Sequence, residues 1–292
     1  MTPRPTRAAG MRAPATIAFD RLASEYDQLA AGEIFQLLRE RTHQVFARRF
    51  APGSRVLEIG CGTGLDTAFL ASRDVHVVAC DPSEEMVIRS LRRLAHAGCE
   101  DKATVLPCGL HDLASFLDAI DTNADSAGAA GEPFDGIVSN FGALNCVEHL
   151  APLGALARRY LKPAGIVLLG LMGRVCAVEA LYFAATRRPN LAARRRGGGP
   201  IPVPVAGIDV PTFYHRIADV RAALGVDLAL ASIEGIGVVL PPPYLEPRWS
   251  HLPKSVRSLV TRVDALLAPW PPFNRVGDHV LLHFVKASVA HG

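Results

Sequence analysis

The stretch Val56-Leu-Glu-Ile-Gly-Cys-Gly-Thr-Gly64 places three glycines within five residues, directly after a run of residues typical of a strand. A strand that ends in glycines and opens a helix is a common ligand-binding arrangement. Small residues let the backbone approach a ligand, and the helix N-terminus offers free N–H groups. The spacing of the glycines therefore indicates which class of ligand this turn suits.

Two well-known glycine turns do not fit this spacing. A P-loop requires GxxxxGK[ST], yet no lysine occurs between Gly53 and Lys102. The dinucleotide fingerprint GxGxxG requires a third glycine where the chain has Leu65 or Thr67. The pattern is GxGxG instead, which disfavours both a nucleoside triphosphate and a dinucleotide.

Around the turn, short apolar runs alternate with segments of helical periodicity as far as residue 172. The first four predicted strands are apolar at nearly every position, which indicates that both of their faces are buried. Helices between such strands predict an α/β, Rossmann-like three-layer sandwich around a mostly parallel sheet. The predicted strands are 55–60, 75–80, 103–107, 134–140 and 165–172, and the predicted helices are 33–50, 65–73, 84–97, 112–120 and 149–161.

The pattern is weaker after residue 172. Helices over 175–186 and 213–224 and strands over 226–236 and 277–287 complete a seven-stranded sheet whose last strand is antiparallel. Residues 187–211 are rich in Arg, Gly and Pro and are expected to form a long mobile loop. Residues 241–277 are expected to form a second insertion, with a helix near 254–267.

Two further segments are interpreted from composition. Residues 1–16 are expected to form a disordered leader, because the prolines at 3, 5 and 14 disfavour a helix there. Residues 121–133 are expected to form a loop. Residues 17–292 then form one domain, with a cofactor half over 17–172 and a substrate or lid half over 173–292.

Length and composition exclude several classes of protein. The chain has 292 residues, of which 49% are hydrophobic, so it is long enough to bury a sizeable core. A formal charge of +3 does not by itself imply a nucleic-acid partner. The six cysteines contain no CxxC pair, which disfavours a zinc site. No secretory signal and no membrane span are recognised, so a cytoplasmic location with reduced thiols is expected.

Five segments, in order along the chain, resemble the class I S-adenosylmethionine (SAM)-dependent methyltransferases, especially their ubiquinone/menaquinone-type members. The resemblance covers roughly residues 17–172. The segments are Phe19-Asp-Arg-Leu-Ala-Ser-Glu-Tyr-Asp27, Glu58-Ile-Gly-Cys-Gly-Thr-Gly64, Ala79-Cys-Asp-Pro-Ser83 with Met86 beyond it, Phe134-Asp-Gly-Ile-Val-Ser-Asn-Phe-Gly142 and Leu161-Lys-Pro-Ala-Gly165.

The resemblance implies SAM as the cofactor. It assigns to the cofactor Tyr26, Glu58, Gly60, Cys61, Gly62, Gly64, Asp81, Pro82, Met86, Gly109, Leu110, Asn140 and Phe141. Asp81 stands where the family uses an acid to accept from both ribose hydroxyls, which suits a carboxylate. An alternative role for Asp81 is to cap the following helix.

The other implied roles follow from side-chain chemistry. Glu58 would orient the glycine turn by accepting its N–H groups, and the Asn140 carbonyl would receive the ammonium group of SAM. Tyr26 would offer a ring and a hydroxyl, and the Phe141 ring would lie against the sulfonium, an attraction of roughly 0.5–2 kcal/mol. The family's adenine-binding acid is replaced by Leu110, so either backbone groups or the nearby Asp112 would bind adenine.

The substrate side is less specific. Tyr214, His149 and His215 are the candidate catalytic residues, with His111 and Glu148 as further candidate bases. No acid follows the fourth strand before Glu148, so no metal is expected. The arginines at 187, 188, 194, 195 and 196 suit either a solvated loop or contact with an acidic substrate. The aromatic residues of 241–277 suit a pocket wall, lid packing or a homodimer contact equally.

These features predict methyl transfer by in-line SN2 displacement to O, N or C of a small, partly apolar molecule. One alternative is an RNA or polyanion methyltransferase that uses the arginines of 187–196, although a nucleic-acid partner is not favoured. A second alternative is a non-catalytic SAM-binding scaffold subunit.

Overall fold

The computed structural model describes residues 12–122 and 132–288. Its strands are β1 (Arg55–Ile59), β2 (His76–Cys80), β3 (Ala103–Leu106), β4 (Phe134–Ser139), β5 (Leu161–Met172), β6 (Ile201–Val205), β7 (Ile208–Thr212), β8 (Leu228–Ile236) and β9 (His279–Lys286). Its helices are α1 (Pro14–Ala30), α2 (Glu33–Arg49), α3 (Leu65–Ala71), α4 (Glu84–Ala97), α5 (Leu113–Thr122), α6 (Ala151–Tyr160), α7 (Ala177–Ala185), α8 (Pro189–Ala192), α9 (Ile217–Leu224), α10 (Glu246–Trp249) and α11 (Lys254–Leu267).

Seven strands form one sheet in the order β3-β2-β1-β4-β5-β9-β8. The first five are parallel, and β9 lies antiparallel between β5 and β8. Val56 on β1 is paired with Val77 on one side and Gly136 on the other. The predicted α/β class, the seven strands and the antiparallel last strand are confirmed.

Each face of the sheet carries its own apolar core, because neighbouring residues of a strand point to opposite faces. Leu57 packs with α5, α6 and α9 on one face. Val56 packs with α2 and α3 on the other, where Val260 of α11 also contacts the core. Burial on both faces explains why the parallel strands read as continuous apolar runs.

The N-terminal helix corrects one expectation. Helix α1 begins at Pro14, so residues 14–16 are helical and do not belong to a leader. Proline is well tolerated in the first helical turn, where its missing N–H has no intrahelical partner to lose. The rest of the predicted leader, residues 1–11, lies outside the described residues, as does 123–131 of the predicted loop.

The expected mobile loop over 187–211 is wrong for most of its length. It contains α8 and a β-hairpin, in which Ile201 pairs with Thr212 and Val203 pairs with Val210. The two-residue connection Ala206-Gly207 has positive φ at both positions, 47° and 76°, as a type I′ hairpin turn requires. Proline is allowed in such a ribbon because both of its strands are edges.

Candidate functional site

A cavity of about 390 Å³ lies at the carboxyl ends of β1, β2, β3 and β4. These ends meet where the strand order reverses direction, which is the usual ligand-binding position in open α/β sheets. Of the residues that the sequence assigned to the cofactor, most line this cavity and two do not. Those that line it are Tyr26, Gly60, Cys61, Gly62, Asp81, Pro82, Met86, Gly109, Leu110, Asn140 and Phe141.

The three glycines of the opening turn have different roles. A side chain at Gly60 would meet the Ala143 Cβ at 2.3 Å, and one at Gly64 would meet the Ser90 Oγ at 2.3 Å. Only Gly62 has open space beside it, and its φ of 54° is left-handed. Two glycines are therefore needed for close packing of the chain, while Gly62 leaves its backbone exposed to the cavity.

Asp81 connects the ends of β1 and β2. Its Oδ2 accepts from the Gly62 N–H and its Oδ1 from the Ser83 N–H, both at 2.9 Å. Burial raises the pKa of Asp81 to about 6, against which these two hydrogen bonds act. The alternative role as a helix cap is wrong, because Ser83 is the N-cap of α4 and accepts from the Met86 N–H.

Helix α1 and the residue before it form one wall of the cavity, through Ala13, Ala15, Thr16, Phe19 and Tyr26. Two of its carboxylates attach it to the ligand-binding loops. The Ser83 hydroxyl donates to Asp20 and the Thr63 hydroxyl donates to Asp27, both at 2.6 Å. The segment that resembled the family's opening motif therefore closes over the glycine turn.

A buried ionic group, which the sequence did not reveal, lies against the cavity. Arg39 of α2 lines the cavity and pairs with Asp66 of α3. Asp66 also accepts from the Asn140 side chain at 2.8 Å and lies 2.7 Å from the His43 ring nitrogen. Burial alone would raise the pKa of Asp66, but Arg39, His43 and Asn140 hold it well below its usual range. Helical periodicity had marked only the apolar positions of α2, so Arg39 gave no separate signal.

The Phe141 ring is in contact with this ionic group, so a sulfonium would not be its only cationic neighbour. Its ring stacks on Phe35 with centroids 4.7 Å apart, and the Arg39 guanidinium lies 4.2 Å from its centroid. Its φ of 47° is in the left-handed region, which is uncommon for a bulky residue. A strained residue that lines a cavity is a frequent feature of functional sites.

Glu58 and Gly64 do not line the cavity. Glu58 is buried and accepts from the Thr67 hydroxyl at 2.6 Å. Burial and the neighbouring Asp66 charge raise the pKa of Glu58 to about 8. Its contact with α3 supports the turn from behind, whereas the N–H groups of Gly60 and Cys61 are accepted by the Cys80 carbonyl.

The predicted catalytic residues are not brought to the cavity. His149 is exposed and lies outside the lining. The His215 Nε2 lies 3.2 Å and 3.0 Å from the Leu144 and Val147 carbonyls, which makes it a donor to the chain behind the cavity. Tyr214 is buried away from the cavity, and burial raises its pKa. By contrast, the further candidate bases His111 and Glu148 both line the cavity, as does Asp112.

Two of the five clustered arginines are paired with acids of this chain. Arg194 and Arg195 both donate to Glu179, and Arg195 also pairs with Asp278 at 2.7 Å. Arg195 is 6% exposed and Glu179 is 2% exposed. These side chains hold α7, the turn after α8 and the start of β9 together, so the interpretation as a solvated loop does not apply to them. The alternative role, contact with an acidic substrate, loses the same two residues.

The aromatic residues of 241–277 do not form a wall of the cavity. Trp249, the last residue of α10, is buried in the core, and the Tyr244 hydroxyl donates to Glu179 at 2.9 Å. Trp270 and Phe273 are 66% and 39% exposed. Across 12–122 and 132–288, no group of His, Cys, Asp or Glu side chains is arranged to hold a metal ion, and no helix is long and apolar enough to cross a membrane.

Comparison with known proteins agrees with the geometry. A family model described as a methyltransferase domain matches residues 56–165. A demethylmenaquinone methyltransferase of Clavibacter sepedonicus is 34% identical over 157 residues, which are 52% of this chain and 55% of that protein. A ubiquinone biosynthesis O-methyltransferase of Azorhizobium caulinodans is 28% identical over 148 residues, 50% of this chain and 51% of that protein. The chain thus spans about half the length of the curated relatives it matches.

Solved structures extend the likeness in fold to nearly the whole chain. The CcbJ methyltransferase of Streptomyces caelestis has a TM-score of 0.53 at 14% identity, covering 94% of this chain and 99% of that one. The [4+2]-cyclase SpnF has a TM-score of 0.59 at 15% identity, covering 97% of this chain and all of that one. One fold thus serves different named activities, and structural likeness alone does not assign a reaction. Residues 56–165 thus match a methyltransferase domain, and the solved structures extend the same fold to nearly the whole chain.

Proposed function

We propose that this protein is a SAM-dependent methyltransferase that acts on a small, partly apolar molecule. The observation that carries the proposal is the pair formed by Asp81 and Gly62 at the switch point of the sheet. A buried carboxylate at the end of β2 faces an open, left-handed glycine at the end of β1. That arrangement suits a ligand with a diol beside a polar tail.

The lining residues fit SAM in three respects. Asp81 has acceptor capacity left beside its two backbone bonds, which suits the ribose hydroxyls. The guanidinium of Arg39 and the backbone around Gly62 are the polar groups available to the amino-acid tail. Gly109, Leu110 and Asp112 line the part of the cavity that follows the end of β3. Adenine would lie there, and its amino group would donate to Asp112 or to a backbone carbonyl.

The reaction would be an in-line displacement at the SAM methyl group, leaving S-adenosylhomocysteine. The protein's main contribution would be alignment, since fixing acceptor and methyl in a reactive geometry supplies roughly 7–11 kcal/mol. Phe19, Leu144 and Val147 give the lining its apolar part, which suits a partly apolar acceptor. The named quinone methyltransferases among the relatives act within the same substrate class.

A base is needed only when the acceptor must lose a proton near neutral pH. His111 and Glu148 are the candidate bases that line the cavity, so we assign this role to them ahead of His149, His215 and Tyr214. Both are exposed at the mouth of the cavity, where a proton passes directly to water.

Calorimetric titration of the full chain with SAM, S-adenosylhomocysteine, NAD and ATP tests the cofactor. We expect binding of the first two only, and Asp81→Asn should weaken it. Binding of NAD or ATP in their place, or none of the four to folded protein, would overturn the assignment. Incubation of SAM with phenolic and quinol acceptors, followed by mass spectrometry, tests transfer. A product that carries one added methyl group is expected, while SAM binding without transfer to any acceptor would favour the scaffold alternative.

A further inference from the structure

Helix α11 and the turn after it present an apolar stripe to solvent. Leu259, Leu266 and Trp270 are 61%, 69% and 66% exposed. Within α11, Val256, Leu259 and Leu266 are spaced by three and seven residues and so share one side of the helix, while the remaining members lie just before and after it. The stripe is Leu252, Val256, Leu259, Leu266, Trp270 and Phe273.

Other side chains of α11 make the contacts that hold the helix on the domain. Asp264 is buried and accepts from the Val239 and Leu240 N–H groups at 2.8 and 3.1 Å. Val260 packs against the sheet core, and Arg257 pairs with Glu33 at the start of α2. A surface helix normally carries polar residues on its outward side. The stripe is therefore not explained by the packing of α11 within this chain.

The exposed charged side chains of residues 246–277, the segment that carries the stripe, are all basic. They are Arg248, Lys254, Arg262 and Arg275, and they form what we call the cationic rim. The acids of residues 246–277 are Glu246 and Asp264, and both are engaged by backbone N–H groups. Exposed apolar side chains, a tryptophan and a cationic rim are the composition of helices that lie flat in a lipid–water interface.

We propose that α11 and the turn through Phe273 bind the surface of an anionic bilayer, with the stripe in the headgroup region and the rim on lipid phosphates. A second copy of the chain is the competing occupant. Self-docking through this stripe would bring cationic rims together, whereas an anionic surface complements them. The proposal concerns attachment to a surface and does not depend on methyl transfer.

Co-sedimentation with vesicles tests it. We expect the full chain to bind vesicles of phosphatidylcholine mixed with phosphatidylglycerol more strongly than vesicles of phosphatidylcholine alone. Trp249 is buried and Trp270 exposed, so tryptophan fluorescence should shift to the blue on binding, and Trp270→Phe should abolish the shift. The double variant Leu259→Glu with Leu266→Glu should lower vesicle partitioning about 100-fold or more, since two exposed leucines lose their apolar contact.

Matched controls separate the stripe from general effects. Leu91→Glu changes a leucine that is 47% exposed on α4 and should leave partitioning unchanged. Lys254→Glu with Arg262→Glu should lower partitioning about tenfold or more, and added salt should do the same. Circular dichroism and cofactor titration show whether each variant is folded.

Three results would overturn the proposal. The first is that the folded native chain does not bind anionic vesicles. The second is that the leucine double variant binds them as strongly as the native chain. The third is that light scattering shows a dimer which the double substitution converts to a monomer. The last result would assign the stripe to a second copy. Because vesicle binding is measured without SAM, its failure leaves the cofactor assignment untouched, and failed SAM binding leaves this surface untouched.

Discussion

The glycine turn and the part of the chain after β5 are stabilised by different kinds of contact. At the glycine turn, neighbouring groups accept from backbone N–H groups, as when Asp81 accepts from the Gly62 N–H. After β5, pairs of charged side chains join separate elements, as when Arg195 contacts Glu179 of α7 and also Asp278, which lies 83 residues further along the chain. The first kind leaves a local signature in the sequence, and the second does not. The difference is open to test by removing one contact of each kind.

The largest effect is expected at Arg195. Arg195→Met leaves Glu179 and Asp278 buried without their shared cation, which should lower the free energy of unfolding by about 3–5 kcal/mol. Urea denaturation measures this change. Arg196→Met is the matched control, because Arg196 is exposed, and it should cost less than about 0.5 kcal/mol. Equal, small costs for both variants would show that the buried ions do not hold the late segments together.

The next effect is expected at Asp81, and it concerns binding rather than stability. Asp81→Asn should raise the dissociation constant for S-adenosylhomocysteine about 10–100-fold, or about 1.4–2.8 kcal/mol, because charge-assisted hydrogen bonds to the ribose are lost. Calorimetry measures it. Asp101→Asn, at an exposed acid on the turn before β3, should change nothing. An unchanged affinity in folded Asp81→Asn protein would remove the ribose assignment.

The pH dependence of stability and of ligand binding gives a second test of the role of Asp81. Burial raises the pKa of Asp81 to about 6, so the folded protein keeps that proton between about pH 4, the usual pKa of an unfolded aspartate, and pH 6. The contribution of this group to stability therefore declines as pH rises through that window. If the ionised carboxylate binds the ribose, the apparent affinity for S-adenosylhomocysteine should fall by up to about tenfold per pH unit below pH 6.

The contribution of the Asp81 charge to ligand binding is isolated by titrating the native chain and Asp81→Asn at pH 5, 6 and 7. These values bracket the pKa of about 6. The difference in affinity between the two proteins should shrink as the pH falls. A difference that stays constant would mean that another group governs the pH dependence.

The smallest effect is expected at His149. His149→Ala should leave the rate of methyl transfer within about twofold, because the side chain is exposed and lies outside the cavity. His111→Ala, at a residue that lines the cavity, is the comparison in the same assay with the same acceptor. A larger loss for His149→Ala than for His111→Ala would reverse the assignment of the candidate base.

The sequence predicts well wherever one local pattern decides the structure. Continuous apolar strands were enough for the mostly parallel sheet, and the segments that resemble a known family were enough for most of the cavity lining. The hairpin β6–β7 was missed because its prolines resemble a loop, although the Ala206-Gly207 turn between alternating apolar residues was a usable signal. The positions of Arg39 and Arg195 could not be predicted, since each depends on a partner brought close only by the folded chain.

Because α1 forms one wall of the cavity, its contacts bear on how long a ligand stays bound. Helix α1 packs against the β6–β7 hairpin and against α2 and α4. Opening α1 would break the hydrogen bonds from Ser83 to Asp20 and from Thr63 to Asp27, each worth about 1.5–3 kcal/mol as a bond to a charged group. These two hydroxyl–carboxylate bonds, together with the packing of α1, would therefore lengthen the residence time of a bound ligand.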